Sequence, residues 1–452
     1  MGRQLVSDYA NKIFYFRRLI RFYLDFNGWL SIIKKIGKYS TLTTRFFMQI
    51  SKNKPKFLAV DFFCGAGGTT RGIIDAGGYV IAGIDKSVEC KETYINNNKN
   101  EYLDKKYPQF LGLDIFPNTD DYPDGQQEKI FDELNVLLAE YSDIESDIPL
   151  MFAICAPCQP FTKLSKKELS PARKEARKRD SSLLKEALKF VDLFHPEIIL
   201  SENVPGIKDK KYGGIWDEYI LSLMELGYAV GSKIICCSKF GIPQHRKRTV
   251  LIAAKSDQVK KERFADLYES QLLVPEVDSD SPMISVKDAI DHLPVIEAGD
   301  THPEIPNHKT RSLNEINLKR LSCAKPGESN AYLENTPYGD LSLPCHRRVN
   351  KKMKQRCFSD VYTRMSPNRP SPTITTKCQS ISNGRFGHYD TSQVRGISLR
   401  EAAMLQSFKE NYVFYPIDRL QPVASMIGNA VPPKLACFFS KYLVNSIENS
   451  KI

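Results

Sequence analysis

Ala156-Pro157-Cys158-Gln159-Pro160-Phe161-Thr162 places a thiol on a short, proline-flanked turn directly after the apolar run Leu150 to Cys155. A cysteine at the end of a buried strand stands where α/β enzymes keep a nucleophile. A zinc or redox pair with Cys155 is the competing chemistry. No second CxxC or Cys/His pair occurs at ligand spacing, and Cys155 falls within the strand, so both weigh less. A packed structural cysteine stays open. Glu202-Asn203-Val204 follows the apolar stretch Glu197 to Ser201 and brings a carboxylate to another strand end. Gln244-His245-Arg246-Lys247-Arg248 precedes the run Thr249 to Ala254 with alternating cations. Singly, each is equally a surface ion-pair group. Together at one sheet edge, a thiol, a carboxylate and two guanidiniums suit an electron-poor ring bearing an exocyclic oxygen.

A second group of residues suits a nucleoside. The run Phe57 to Phe62 enters Phe63-Cys64-Gly65-Ala66-Gly67-Gly68, and a helix is expected from Thr69. Glycines at such a turn let the backbone approach a ligand at a helix N-terminus. The spacing is not that of the dinucleotide fingerprint, and no Lys-Ser/Thr follows as in a P-loop. Asp85 closes the next strand, where a carboxylate accepts ribose hydroxyls, and Asp114 follows the third.

Positioning these residues takes strands that all end on one edge. Phe57 to Phe62, Tyr79 to Ile84, Leu150 to Cys155, Glu197 to Ser201 and Thr249 to Ala254 read as strands, and Ser182 to Phe194 has helical spacing. The alternation predicts an α/β fold with a doubly wound, mostly parallel sheet over residues 56–256. Residues 257–394, rich in Pro, Gly, Asn and His, predict a second, smaller, loop-rich domain. Helical spacing returns at Leu399 to Phe408 and Pro432 to Val444, so 395–446 is expected to pack back on the first domain.

Residues 1–55 form a basic extension. Through Lys56 it holds twelve Lys or Arg against Asp8 and Asp25, and thus nearly all of the formal charge of +11. It is an arm for phosphate backbones, a peripheral membrane helix or an extension without a role. No apolar run reaches the length of a membrane span. The eleven scattered cysteines and the lack of a recognisable cleavable signal at Met1 favour a reducing compartment without structural disulfides.

Six blocks in order, Asp61-Phe62-Phe63-Cys64-Gly65-Ala66-Gly67-Gly68, Pro157-Cys158-Gln159-Pro160-Phe161, Glu202-Asn203-Val204, Gln244-x-Arg246-x-Arg248, Arg369-Pro-Ser-Pro-Thr-Ile-Thr375 and Gly428-Asn429-Ala430-Val431-Pro432-Pro433, resemble the DNA cytosine-5 methyltransferases. The resemblance runs from about Lys56 to Val444. It implies a Rossmann-like, S-adenosylmethionine-dependent methyltransferase with a target-recognition domain between the Arg248 and Arg369 blocks. It implies that Phe63 stacks on the cofactor's adenine, Asp85 holds its ribose, Asp114 meets its amino group, and Asn429 and Val431 hold the methionine end. Gly65, Gly67, Lys86, Ile115 and Pro157 complete the implied cofactor contacts.

By the same resemblance Cys158 is the nucleophile, Glu202 pairs with cytosine N3 and its exocyclic amine, and Arg246 and Arg248 hold the ring oxygen, the Cys158 region and nearby phosphates. Gln159, Thr162, Lys163, Gln244 and Arg369 are the implied DNA contacts. Cytosine C5 is too weak a nucleophile to accept a methyl group directly, so a thiolate adds at C6 while a protonated Glu202 neutralises N3. Such chemistry needs the base flipped out of the duplex. The segment Lys163 to Arg179 carries eight Lys or Arg against two Glu and is expected to close over DNA. Arg347, Arg348, Arg356 and Arg364 suit phosphates or guanines, or surface pairs. The implied partner is double-stranded DNA. A restriction endonuclease acting separately, a monomeric state, no metal, and a bacterial cytoplasm with nucleoid association complete the expectation. A tRNA methyltransferase of the same superfamily is the nearest rival, and its Cys-Phe-Thr tripeptide does not occur here; a non-catalytic DNA-binding paralogue is the other.

Overall fold

The computed structural model describes residues 54–102, 106–142, 148–157, 179, 182–209, 214–264, 271–277, 283–354 and 357–447. Residues 1–53 of the basic extension, Cys158, Gln159, Thr162, the expected DNA-closing segment from Lys163 through Lys178, and Arg356 lie outside them. The chain from Pro55 onward is one compact unit.

Five strands run parallel in the order β3-β2-β1-β4-β5: β1 Phe57–Phe62, β2 Gly78–Ile84, β3 Gln109–Leu111, β4 Leu150–Ile154 and β5 Ile198–Asn203. The sheet continues through β8 Lys247–Lys255, which lies antiparallel between β5 and β6 Tyr228–Cys236. All six residues of β1 are buried because helices cover both faces. Leu58, Val60 and Phe62 join one core with Phe190 and Val191 of α4 (Leu183–Phe194) and with Trp216, Tyr219 and Leu223 of α5 (Ile215–Glu225). The same core takes Ile130 and Leu134 from α3 (Gln127–Ser142). Phe57 and Ala59 face the opposite core, filled by α1 (Gly68–Asp75) and α11 (Pro433–Ser446). Helix α11 is thus part of the cover of one sheet face.

The contact between α1 and α11 depends on a missing side chain. A Cβ on Gly72 would lie 2.4 Å from the Pro433 carbonyl oxygen and 2.6 Å from Ala436 Cβ. Overpacking of this kind costs roughly 1–3 kcal/mol. Gly72→Ala is therefore expected to lower the thermal unfolding midpoint by several degrees; an unchanged calorimetric midpoint would mean that the two helices separate freely.

Val259 and Leu272 join the core of α1 and α11, and residues 286–394 divide between two further cores. Val286 and Ile290 of α6 (Val286–Ile290), with Met365, Ile374 and Cys378, share a core with Leu399 and Ala402 of α9 (Leu399–Leu405) and with Val423 and Ile427 of α10 (Leu420–Asn429). A smaller core of Leu321, Ala324, Leu333, Val361, Tyr362 and Ile381 supports α7 (Glu315–Ser322), and Leu343 at its edge leads into α8 (Pro344–Met353), which has no buried residue.

Helix α9 starts on a capping box. The Ser398 hydroxyl accepts the Glu401 N–H at 3.0 Å while Glu401 Oε2 accepts the Ser398 N–H at 2.7 Å. Arg395 grips the same buried carboxylate at 2.8 and 2.7 Å. Burial pushes Glu401 up, but the Arg395 hydrogen bonds and charge, with His388, outweigh it and hold the group at about 2. A folded value below the unfolded one, about 4.3, gives stability that is complete above that range and lost as pH falls towards 2. Arg395→Met, which leaves the buried carboxylate without its guanidinium, is expected to cost about 3–5 kcal/mol near neutral pH. Urea unfolding should show this loss shrinking as the pH is lowered; a constant loss would mean that Arg395 acts by packing alone.

Candidate active site

The order of the sheet reverses between β1 and β4, and in open α/β sheets the ligand crevice lies outside the carboxyl ends of the strands at this point. The turn leaving β1 is left-handed at three positions: Phe63 at φ 61°, Gly65 at 49° and Gly67 at 88°. Only glycine tolerates this at no steric cost. A Cβ at Gly67 would also strike Asn98 Nδ2 at 2.2 Å and the Tyr412 hydroxyl at 2.9 Å. Tyr412 in turn donates to the Ala66 carbonyl at 2.5 Å, fixing the turn from outside.

Asp85, at the end of β2, binds the turn. Its Oδ2 accepts the Gly65 N–H at 2.8 Å and its Oδ1 the Ser87 N–H at 2.8 Å. Burial raises its pKa above the ordinary value, against the pull of these amides. Each carboxylate oxygen keeps a lone pair for a further donor, and Asp85 and Phe63 are both half-buried. Beneath them Asp61 is fully buried. Thr70 donates to its Oδ2 at 2.6 Å, while Oδ1 has no hydrogen bond among the described residues. Burial pushes this carboxyl up to about 7 despite the Thr70 hydrogen bonds. The turn, the half-exposed ring and the carboxylate form a cradle that fits a nucleoside.

At the end of β3, Asp114 is half-buried and ion-paired with Arg179; Ile115 and Phe116 beside it are buried. Lys86 and Asn429 are exposed and Val431 is buried at the same mouth. A Cβ at Gly68 would meet the Val431 carbonyl at 2.5 Å, so the Gly428 to Pro433 block packs directly on the start of α1.

At the end of β4, Ala156 is buried and Pro157 exposed, with Cys158 next in the chain. Asn203 Nδ2 donates to the Ala156 carbonyl at 3.1 Å and Asn203 Oδ1 accepts the Val204 N–H at 2.9 Å. This side chain ties the ends of β4 and β5, a role that the sequence reading missed. A polar residue at the end of a buried apolar strand was its only signal. Burial and the neighbouring Glu202 charge push the Cys155 thiol well above the usual range, which disfavours a redox pair built on it.

Glu202 sits on β5 opposite Val250 of β8. The reversal of β8 brings Arg248 alongside, with Nε 2.8 Å from Glu202 Oε1 and both side chains about nine-tenths buried. Oε1 lacks a well-aligned hydrogen bond. The contact is therefore an ion pair rather than a directional bond. Arg248 also donates to the Lys247 carbonyl at 2.8 Å.

Gln244 and Arg246 of the same block turn inward, while His245 and Lys247 are exposed. Gln244 is fully buried: its amide donates to Leu405 O at 3.1 Å and Gln406 Oε1 at 2.6 Å, and its Oε1 accepts the Ile374 N–H at 2.9 Å. The expected DNA contact is thereby corrected, since both ends of the amide are occupied inside the protein. Arg246 donates to Ile374 O at 2.9 Å, Gly428 O at 3.2 Å and Ala430 O at 3.4 Å. With the short parallel pairing of β7 (Gln244–His245) and β9 (Ser371–Pro372), these bonds tie the Gln244, Arg369 and Gly428 blocks together. Gln406 joins them by donating to Ile427 O at 2.8 Å, and the sequence reading had given it no part.

Of the cations considered for DNA, Arg369, Arg347 and Arg348 are exposed, and Arg347 pairs with Asp340. Arg364 is fully buried and donates to the carbonyls of His388, Asp390 and Gln393, which corrects its reading as a phosphate or guanine contact. Among the described residues no cluster of three or more His, Cys, Asp or Glu side chains could hold a metal ion, and no helix is long and apolar enough to cross a membrane.

The model of the C-5 cytosine-specific DNA methylase family matches residues 124–445. The Type II methylase M.HgiDII of Herpetosiphon aurantiacus is 32% identical over 391 residues, covering 86% of this chain and 95% of the relative. The Type II methyltransferase M.DdeI of Desulfomicrobium norvegicum is 27% identical over 407 residues, covering 83% and 86%. In fold, the chain resembles a prophage-encoded E. coli protein described as a DNA modification methyltransferase, with TM-score 0.58 at 19% identity over 86% of this chain and 99% of that one. With a family match over more than half of its length and a full-length relative, the chain belongs to the C-5 cytosine-specific DNA methylases and is a DNA (cytosine-5-)-methyltransferase.

Proposed function

We propose that the enzyme methylates C5 of a flipped-out cytosine in a specific duplex DNA sequence, through a covalent bond between Cys158 and C6. The supporting observation is the Glu202–Arg248 pair at the carboxyl end of β5, tied through Asn203 to the strand that leads into Cys158. Cys158 adds to C6 as Glu202 delivers a proton to N3, so C5 becomes the nucleophilic carbon of an enamine. Arg248 holds Glu202 in place and faces the ring oxygen and the Cys158 region, and Arg246 braces the surrounding loops. After methylation a base removes the C5 proton, the electron pair expels Cys158 as its thiolate, and N3 returns its proton to Glu202, restoring the neutral aromatic ring.

Membership of the family implies dependence on S-adenosylmethionine. Phe63, Gly65, Gly67, Asp85, Lys86, Asp114, Ile115, Pro157, Asn429 and Val431 would hold it, on the cradle described above. Bound there, it supplies an electrophilic methyl group. Gln159, Thr162, Lys163 and Arg369 are the proposed DNA contacts. The Type II names of the relatives support a role in bacterial restriction-modification, with an endonuclease acting separately on the same site. In this reading the enzyme works as a monomer in the cytoplasm, on nucleoid DNA.

Incubation with labelled S-adenosylmethionine and either duplex DNA or tRNA tests the proposal. Label recovered as 5-methylcytosine in DNA is the expected result; label in tRNA alone would overturn it. Light scattering should give one chain per particle.

A further inference from the structure

Arg179 is placed where a mere surface cation has no reason to be. Its guanidinium pairs with Asp114 and lies over two aromatic rings, 4.9 Å from the Phe116 centroid and 5.5 Å from that of Tyr122. Those rings stack on each other at 4.2 Å and 18°. Its backbone is fixed as well, since the Arg179 carbonyl accepts the Ser182 N–H at 3.0 Å and the Ser182 hydroxyl at 2.8 Å, just ahead of α4.

Asp114 is held from its other side. Its Oδ1 accepts the Phe116 N–H at 3.3 Å, and its backbone N–H and carbonyl are both bonded to Gln126. A carboxylate on a loop after a three-residue strand would otherwise turn freely. The guanidinium, itself placed over the aromatic pair, holds Oδ2 while the Phe116 N–H holds Oδ1, so the carboxylate is gripped at both oxygens. We infer that Arg179 is a positioning residue for the cofactor's adenine, which fixes the carboxylate that accepts the adenine amino group. The inference rests on the proposed role of Asp114.

Calorimetric titration of the full chain tests it without turnover. The ligands are S-adenosylhomocysteine and its analogue lacking the adenine 6-amino group; the proteins are wild type, Arg179→Ala, Arg179→Lys and Asp114→Ala. Wild type should prefer the amino-bearing ligand, and Arg179→Ala should lose about tenfold in affinity for it, a loss between those of exposed and buried ion pairs. Its affinity for the analogue should barely move, and Arg179→Lys should recover most of the preference. Equal losses for both ligands, or none, would overturn the inference and leave Arg179 a structural residue. If Asp114→Ala removes the preference while Arg179→Ala keeps it, the inference alone fails. If Asp114→Ala keeps the preference, the role of Asp114 falls, and the inference with it.

Discussion

Cys158→Ser should abolish methyl transfer to duplex DNA, by about 10⁴-fold or more in kcat, as loss of a covalent nucleophile does elsewhere. The cradle of Phe63, Gly65 and Asp85 is built from β1 and β2, and the Glu202–Arg248 pair from β5 and β8, so neither depends on the thiol. Affinities for S-adenosylhomocysteine and for duplex DNA should therefore stay within a fewfold of wild type. A serine hydroxyl keeps the size of the thiol but is scarcely ionised near neutral pH, so addition at C6 stops and the reactions that depend on it stop with it. The measurement is labelled methyl transfer beside cofactor and DNA binding on the same preparations. Near-normal turnover would overturn the assignment of the nucleophile. Joint loss of turnover and cofactor binding would make Cys158 a structural residue. A non-catalytic paralogue would give no transfer with either protein.

The sheet was legible wherever burial made a strand continuously apolar. Phe57 to Phe62 and Leu150 to Ile154 are such strands, flanked by helices on both faces. Strand β6 went unread because Ser232, Lys233 and Ile234 in its second half are exposed or partly exposed, which broke the apolar run. Glu202 was placed at a strand end, but its pairing with Arg248 depends on the antiparallel insertion of β8, a long-range register that no local pattern contains. Gln244 and Arg364 show the harder limit. Polar side chains near a proposed DNA site read alike whether they face solvent or donate inward to carbonyls of distant segments. The core shared by residues 286–290, 365–378 and 399–427 is assembled largely from loops and short helices, so it left little periodicity to detect.

Glu202→Gln separates holding the base from activating it. Glutamine keeps an acceptor for the exocyclic amine and can donate an N–H to N3, but it has no proton to surrender. Binding of duplex DNA should therefore change little, whereas kcat should fall about 10²–10⁴-fold, the usual worth of a general acid. Glu202→Ala should lose both, because the buried guanidinium of Arg248 then has no anion at 2.8 Å and its segment can shift. The comparison also controls for structure: glutamine still offers Arg248 a carbonyl oxygen, so its thermal midpoint should lie between those of wild type and the alanine variant. Wild-type kcat in Glu202→Gln would remove proton delivery to N3 from the mechanism and leave Glu202 as a hydrogen-bonding partner of the cytosine edge. A fall confined to DNA affinity, with kcat intact at saturating DNA, would point the same way, since only a loss expressed in the chemical step marks Glu202 as the acid.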